Sequence, residues 1–197
     1  MLLLIGAGAL VSAWGCASRE TRFQVTNFDL QQGTQRFFER FDECYYSVDP
    51  SGNIDVIARR HSESDDAGVG DITQVVHLRT VYRSAPGSMA SDRTMINTTV
   101  TYAILGPDGG SCYEGAGFMY VRENTRTGAL RGQLELSTVA PHRQVGDPAI
   151  IFEHAELTGQ FVARKDRRRV VRMCNELRRV FGDMPRYQPA RVPADVM

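Results

Sequence analysis

The feature that most restricts this chain is a two-residue alternation of apolar and polar side chains. It begins at Phe23, persists to Ala163, and is punctuated by clusters of Gly, Pro and Asn. Successive side chains of a strand point to opposite faces, so such text predicts half-buried strands. Ile72, Val76, Leu78 and Tyr82 share one parity and are expected inside, with Thr73, His77, Arg79 and Arg83 outside. Ile96, Val100, Tyr102 and Ile104 repeat the pattern within 94–105. The Asp49-Pro50-Ser51-Gly52-Asn53 cluster between two β-rich runs predicts a hairpin loop. Residues 31–40 remain open to a helical turn. Further turns are expected at 106–110 and 124–128, a longer loop at 141–148, and an acidic solvent loop at 61–71. The last strand is expected over 150–163, with a kink or bulge near Gly159. Leu130-Arg131-Gly132-Gln133-Leu134 echoes Leu157-Thr158-Gly159-Gln160-Phe161, as two similar strands would.

Beyond the strands the period changes. Val170, Met173, Cys174, Leu177, Val180 and Phe181 recur at helical spacing, Asp166 stands at the N-cap position, and Gly182 closes the run before Pro185. The prediction is a mainly β fold: an antiparallel meander of about eight strands closing as a barrel or sandwich, with one C-terminal helix packed on it. The expected divisions are 1–15 a signal peptide, 16–22 a tether, 23–182 the β-rich domain with its helix, and 183–197 an extended tail.

Charge narrows the partners. Lys plus Arg and Asp plus Glu number 23 each, so no global field draws the chain to nucleic acid. Only one of the cations is lysine, Lys165. From Arg164 to Arg179 eight positive residues meet two negative ones, and the exposed arginines of this helix are candidate contacts for anionic lipid headgroups. Arg164, Arg168, Arg172 and Arg179 are the residues singled out.

No arrangement with recognisable catalytic spacing occurs, and no cofactor is implied. The four histidines are scattered, without HxxxH or HExxH. His77 and Arg79 share one strand face, which allows a small polar site beside the simpler reading of an exposed strand. Gly110-Ser111-Cys112 lacks the trailing glycine of a nucleophile elbow, and Gly6-Ala7-Gly8 lacks the third glycine of a dinucleotide turn. Asp49, Ser51, Asn53 and Asp55 alternate oxygens like a calcium loop, but Arg60 holds the position of the closing glutamate, so a hairpin turn accounts for them and no metal site is assigned. The acidic set Glu63, Asp65, Asp66 and Asp71 offers at most a weak cation site. Cys44 and Cys112 are a candidate disulfide if their strands are neighbours, or buried free thiols if not. Cys174 is expected in the helix's packed stripe.

The first eighteen residues carry a different message. Met1 to Ser18 contains no charged side chain, and its apolar run is too short for the roughly 20 residues of a spanning helix. Ala13-Trp14-Gly15-Cys16 resembles the lipobox of bacterial lipoproteins, with Ala13 where that family favours leucine. The resemblance implies lipid on Cys16, a location in the cell envelope outside the cytoplasm, and attachment to a membrane without a transmembrane helix. In strand number, terminal helix and anchor the chain also looks like the lipocalins, and Tyr46-Ser47-Val48 with Gly52-Asn53-Ile54-Asp55-Val56 is similar to their hairpin text. The Gly-x-Trp signature of their first strand is absent, since the only tryptophan is Trp14, and no ligand pocket is carried over. The expected function is a membrane-anchored, non-catalytic binding or envelope-supporting module with a protein or small-molecule partner. The alternative is a lipocalin-like carrier of a small apolar ligand.

Overall fold

The structure is a computed structural model that describes residues 20–29, 33–62, 71–80, 96–148, 152 and 154–182. The predicted signal, Cys16, the acidic residues 63–70 and the tail 183–197 lie outside the described residues, as do Tyr82 and Arg83.

The expected mainly β, antiparallel meander with a C-terminal helix is what forms. Nine strands make one sheet: β1 (Thr21–Asp29), β2 (Gly33–Phe41), β3 (Glu43–Val48), β4 (Ile54–Ser62), β5 (Ile72–Thr80), β6 (Thr98–Leu105), β7 (Gly109–Asn124), β8 (Ala129–Gly146) and β9 (Ala155–Lys165). Strands β3 to β8 each pair with the next. The meander then closes on itself, because β9 pairs with β8 along one side and with β3 along the other. The β3–β9 contact is parallel and short, Tyr45 against Arg164 and Tyr46 against Lys165. Strand β1 uses the remaining length of that same β9 edge, and β2 lies outside it.

The alternation translates directly into two faces. Val56, Ala58, Val76, Leu78, Val100, Tyr102, Ile104, Tyr113, Leu134, Leu157 and Phe161 belong to one buried cluster inside the ring. Their outward neighbours Ile57, Val75, Ala103 and Cys112 form a second cluster with Val170, Met173, Leu177 and Phe181 of α1 (Arg167–Phe181). The helix begins as its sequence predicts: Asp166 accepts from the Arg169 amide at 3.0 Å, and its own amide donates to Tyr46 O, tying the cap to β3. At the other end Gly182 takes φ +76° and donates to Arg178 O. Val180, counted on the apolar stripe, is instead 40% exposed.

The hairpin at 49–53 also forms as expected. Gly52 adopts φ +85°, and the Asp49 carboxylate accepts from the amides of Ser51 and Asn53, both at 2.9 Å. Other expectations need correction. Within 31–40 the described residues supply most of β2 and no helical turn. Thr21 and Arg22, expected ahead of the β-rich domain, already pair with β2. No loop spans 141–148: β8 runs on to Gly146, and Pro141 fits because the register shifts there, leaving His142 unpaired between Pro141 and Arg143. The irregularity expected at Gly159 lies across from it, on β8 between Leu134 and Ser137. Ile96 is 61% exposed and precedes β6 instead of joining its inner face.

Candidate functional site

Register and helix packing together assemble a polar cleft that sequence spacing does not reveal. Asp55 pairs with Arg79 and Ile57 with His77, which sets Asp55, His77 and Arg79 close together on the outer face of β4 and β5. Helix α1 crosses above them. Its flank brings Cys174 to the same spot, and Arg167, Asn175 and Arg178 to the rim of a cleft of about 390 Å³. His77 Nε2 lies 3.0 Å from Asp55 Oδ1 and 3.9 Å from Cys174 Sγ. Arg79 bonds Asp49 at 3.2 Å and approaches Asp55 at 3.7 Å. The His77 and Asp55 side chains are only 14% and 15% exposed. Burial alone pushes the imidazole down. The hydrogen bonds to Asp55 and Cys174, and the charge of both, outweigh it and raise His77 to about 9. At neutral pH the ring is therefore an imidazolium, set between Asp55 and Cys174. Carboxylate and thiol meet the same nitrogen, so this is not the relay in which the two use opposite sides of the ring.

Sequence reasoning saw His77 and Arg79 on one face but gave Asp55 to the hairpin and Cys174 to the core. The available signal was the parity Asp55, Ile57 against His77, Arg79; the helix crossing had no signal in spacing. Asp49 is spent on the turn and on Arg79. Among the described residues no cluster of three or more His, Cys, Asp or Glu suits a metal.

The candidate disulfide does not form. Cys44 on β3 and Cys112 on β7 are separated by three intervening strands, lie in different clusters, and are free. Burial pushes both thiols up to about 12. Cys174 is also free, but half-buried, at the edge of the packed seam.

The arginines of interest are all exposed. Arg168, Arg172 and Arg179 fall within about 40° of each other around the helix axis, opposite the buried residues. Arg164 lies at the end of β9. It lines a second cleft of about 390 Å³ with Glu20, Thr21, Arg40 and Tyr45, where β1 begins. Glu20 is held there by Arg22 and Arg40. Arg169 is structural instead: it bonds Glu43 and Tyr45 Oη and lies over the Tyr45 ring.

A third cleft, about 850 Å³, runs over the outer face of β2, β1, β9 and β8. Gln24, Gln133, Thr158 and Gln160 form its floor and Phe38, 76% exposed, its wall. Compared with protein-family models, curated proteins and solved structures, the chain matches none.

Proposed function

We propose that the chain is an extracytoplasmic lipoprotein, held at a membrane through lipid on Cys16, whose β ring serves as a binding or envelope-supporting module. The observation that carries this reading is where the anchor joins the fold. Four peptide steps separate Cys16 from Glu20, a reach of at most about 14 Å. Glu20 shares its cleft with Arg164, just before the N-cap of α1. A copy held by Cys16 therefore has the start of the arginine ridge on its anchored side. Basic side chains near an anionic surface contribute about 1 kcal/mol each, and buried acyl chains about 0.8 kcal/mol per CH₂. Lipid supplies the hold, and Arg164, Arg168, Arg172 and Arg179 set the orientation.

In this reading a protein or small-molecule partner is met on the outer face of the ring, where the 850 Å³ cleft lies. The alternative, a carrier of a small apolar ligand, needs an interior not filled by the protein's own side chains. Tyr46, Tyr102, Tyr113, Leu134, Leu157 and Phe161 are buried in that interior, which favours the external site.

Expression of Cys16→Ser in the native host tests the anchor. Fatty-acid labelling is expected to vanish and the protein to leave the membrane fraction. Unchanged retention would replace the lipid with an uncleaved apolar anchor. For the ridge, sedimentation of the lipid-free protein with anionic vesicles is expected to fall when Arg168, Arg172 and Arg179 are changed to glutamate.

A further inference from the structure

We infer that Cys174 is a reactive thiol site, built by His77 and Asp55, that exchanges with small disulfides. The inference does not depend on the membrane anchor. Three observations carry it. First, Cys174 is the only described cysteine that is not buried, and it lines a surface cleft near cations; Cys44 borders the cleft beside Arg164 but is itself buried, as is Cys112. Second, His77 Nε2 is 3.9 Å from Sγ, and Asp55 at 3.0 Å from the same nitrogen holds the ring charged. An imidazolium beside sulfur favours the thiolate, the form that attacks. Third, the cleft is large enough for a small ligand and is rimmed by arginine. The charged groups facing the pair are Asp49 and Asp55 from the β3–β4 side, Arg79 from β5, and Arg167 and Arg178 from α1. With His77 protonated they carry four positive charges against two negative, which suits a disulfide bearing carboxylates. From β6 the neighbour of His77 in register is the uncharged Thr101.

The step balances without a metal or external reductant. The Cys174 thiol loses its proton to bulk base, and the thiolate attacks one sulfur of the disulfide. A Cys174–S–S bond forms, the original S–S bond breaks, and the departing thiolate takes its electron pair and then a proton from water. The small disulfide is the oxidant. Reduction by a second thiol reverses the step.

The test uses the full chain carrying Cys16→Ser, so that three thiols remain, with dithiobis-nitrobenzoate as the probe. One thiol is expected to react rapidly in the folded protein, and peptide mapping is expected to place the label on Cys174. The rate should fall less steeply from pH about 8 to pH about 6 than that of a cysteine in a short peptide, whose thiol titrates near 8.5. His77→Asn should restore the steep fall, slowing the reaction at pH about 6 by about threefold or more, because a weaker thiolate fraction is only partly offset by higher intrinsic nucleophilicity. Asp55→Asn should move the profile the same way. Labelling of all three thiols in a variant would reveal unfolding; the wild-type profile against the peptide then decides alone. A Cys174 that reacts only on unfolding, or a wild-type profile as steep as the peptide's, overturns the inference.

Discussion

The two sides of the sheet solve burial differently. Inside the ring three tyrosine hydroxyls have fixed partners: Tyr46 Oη donates to Gly128 O at 2.8 Å, Tyr102 Oη to Gln74 at 2.9 Å, and Tyr113 Oη accepts from the Phe152 amide at 2.8 Å. Tyrosine keeps its apolar ring in the cluster and spends its hydrogen bonds at the edge. Under α1 the same sheet meets one narrow helical stripe. Val170, Met173, Leu177 and Phe181 close half of that seam, and the other half is left to Asp55, His77 and Cys174. The interior is a structure-holding region throughout. The seam divides into an apolar part that holds the helix and a titratable part open to solvent.

The sharpest way to break this contrast is to empty both sides. Phe161 is fully buried, with its ring against the Gly132 backbone, and Phe161→Ala should destabilise by about 3–5 kcal/mol in denaturant unfolding. Leu177→Ala in the seam should cost about 2–5 kcal/mol, toward the lower end if the helix settles into the gap. A Leu177→Ala protein as stable as wild type would mean the helix seals nothing.

Next comes pH. His77 is raised to about 9 when folded, so its contribution is complete below the unfolded value near 6.5 and is lost as pH rises through about 9. Its size is on the order of 3 kcal/mol. The raised thiols and tyrosines also weaken the fold in alkali, so the check is the difference between wild type and His77→Asn at pH about 6 and about 10. That difference should shrink at the higher pH. Asp166→Ala removes the cap on α1 and should cost about 1 kcal/mol, read from the thermal midpoint. Smallest of all, Arg168→Glu with Arg172→Glu should leave stability within about 0.5 kcal/mol. A glutamate at 168, in the first turn, even suits the helix dipole.

Where sequence text was legible, one physical rule was acting alone. Strands β4 to β6 show alternation because one face is buried and the other is wet or covered by a single helix. The helix was legible from cap to cap because Asp166 and Gly182 end it by local chemistry. Strand β2 was ambiguous since adjacent Phe37 and Phe38 break the alternation, and both of its faces are largely exposed. Pro141 reads as a loop until the bulge beside it is known. The Asp55–His77–Cys174 cluster depends on strand register and a helix crossing, which are properties of three segments at once. No window of sequence contains them.

Strand β9 has one more consequence, in the order of events. It is the partner of β1, β3 and β8, and its Val162 amide bonds Thr21, 141 residues earlier. Neighbour-to-neighbour pairing from β3 to β8 is available as soon as each hairpin exists, but closure waits for the end of β9. Joining ends so far apart carries a large loop entropy, and folds dominated by such contacts assemble slowly. A chain supplied from its N-terminus therefore holds β1, with Phe23 and Val25, without its β9 partner until nearly the whole sequence has emerged. Its most exposed moment is an open meander with one unpaired edge of β3 and another of β8, a template for association with other copies.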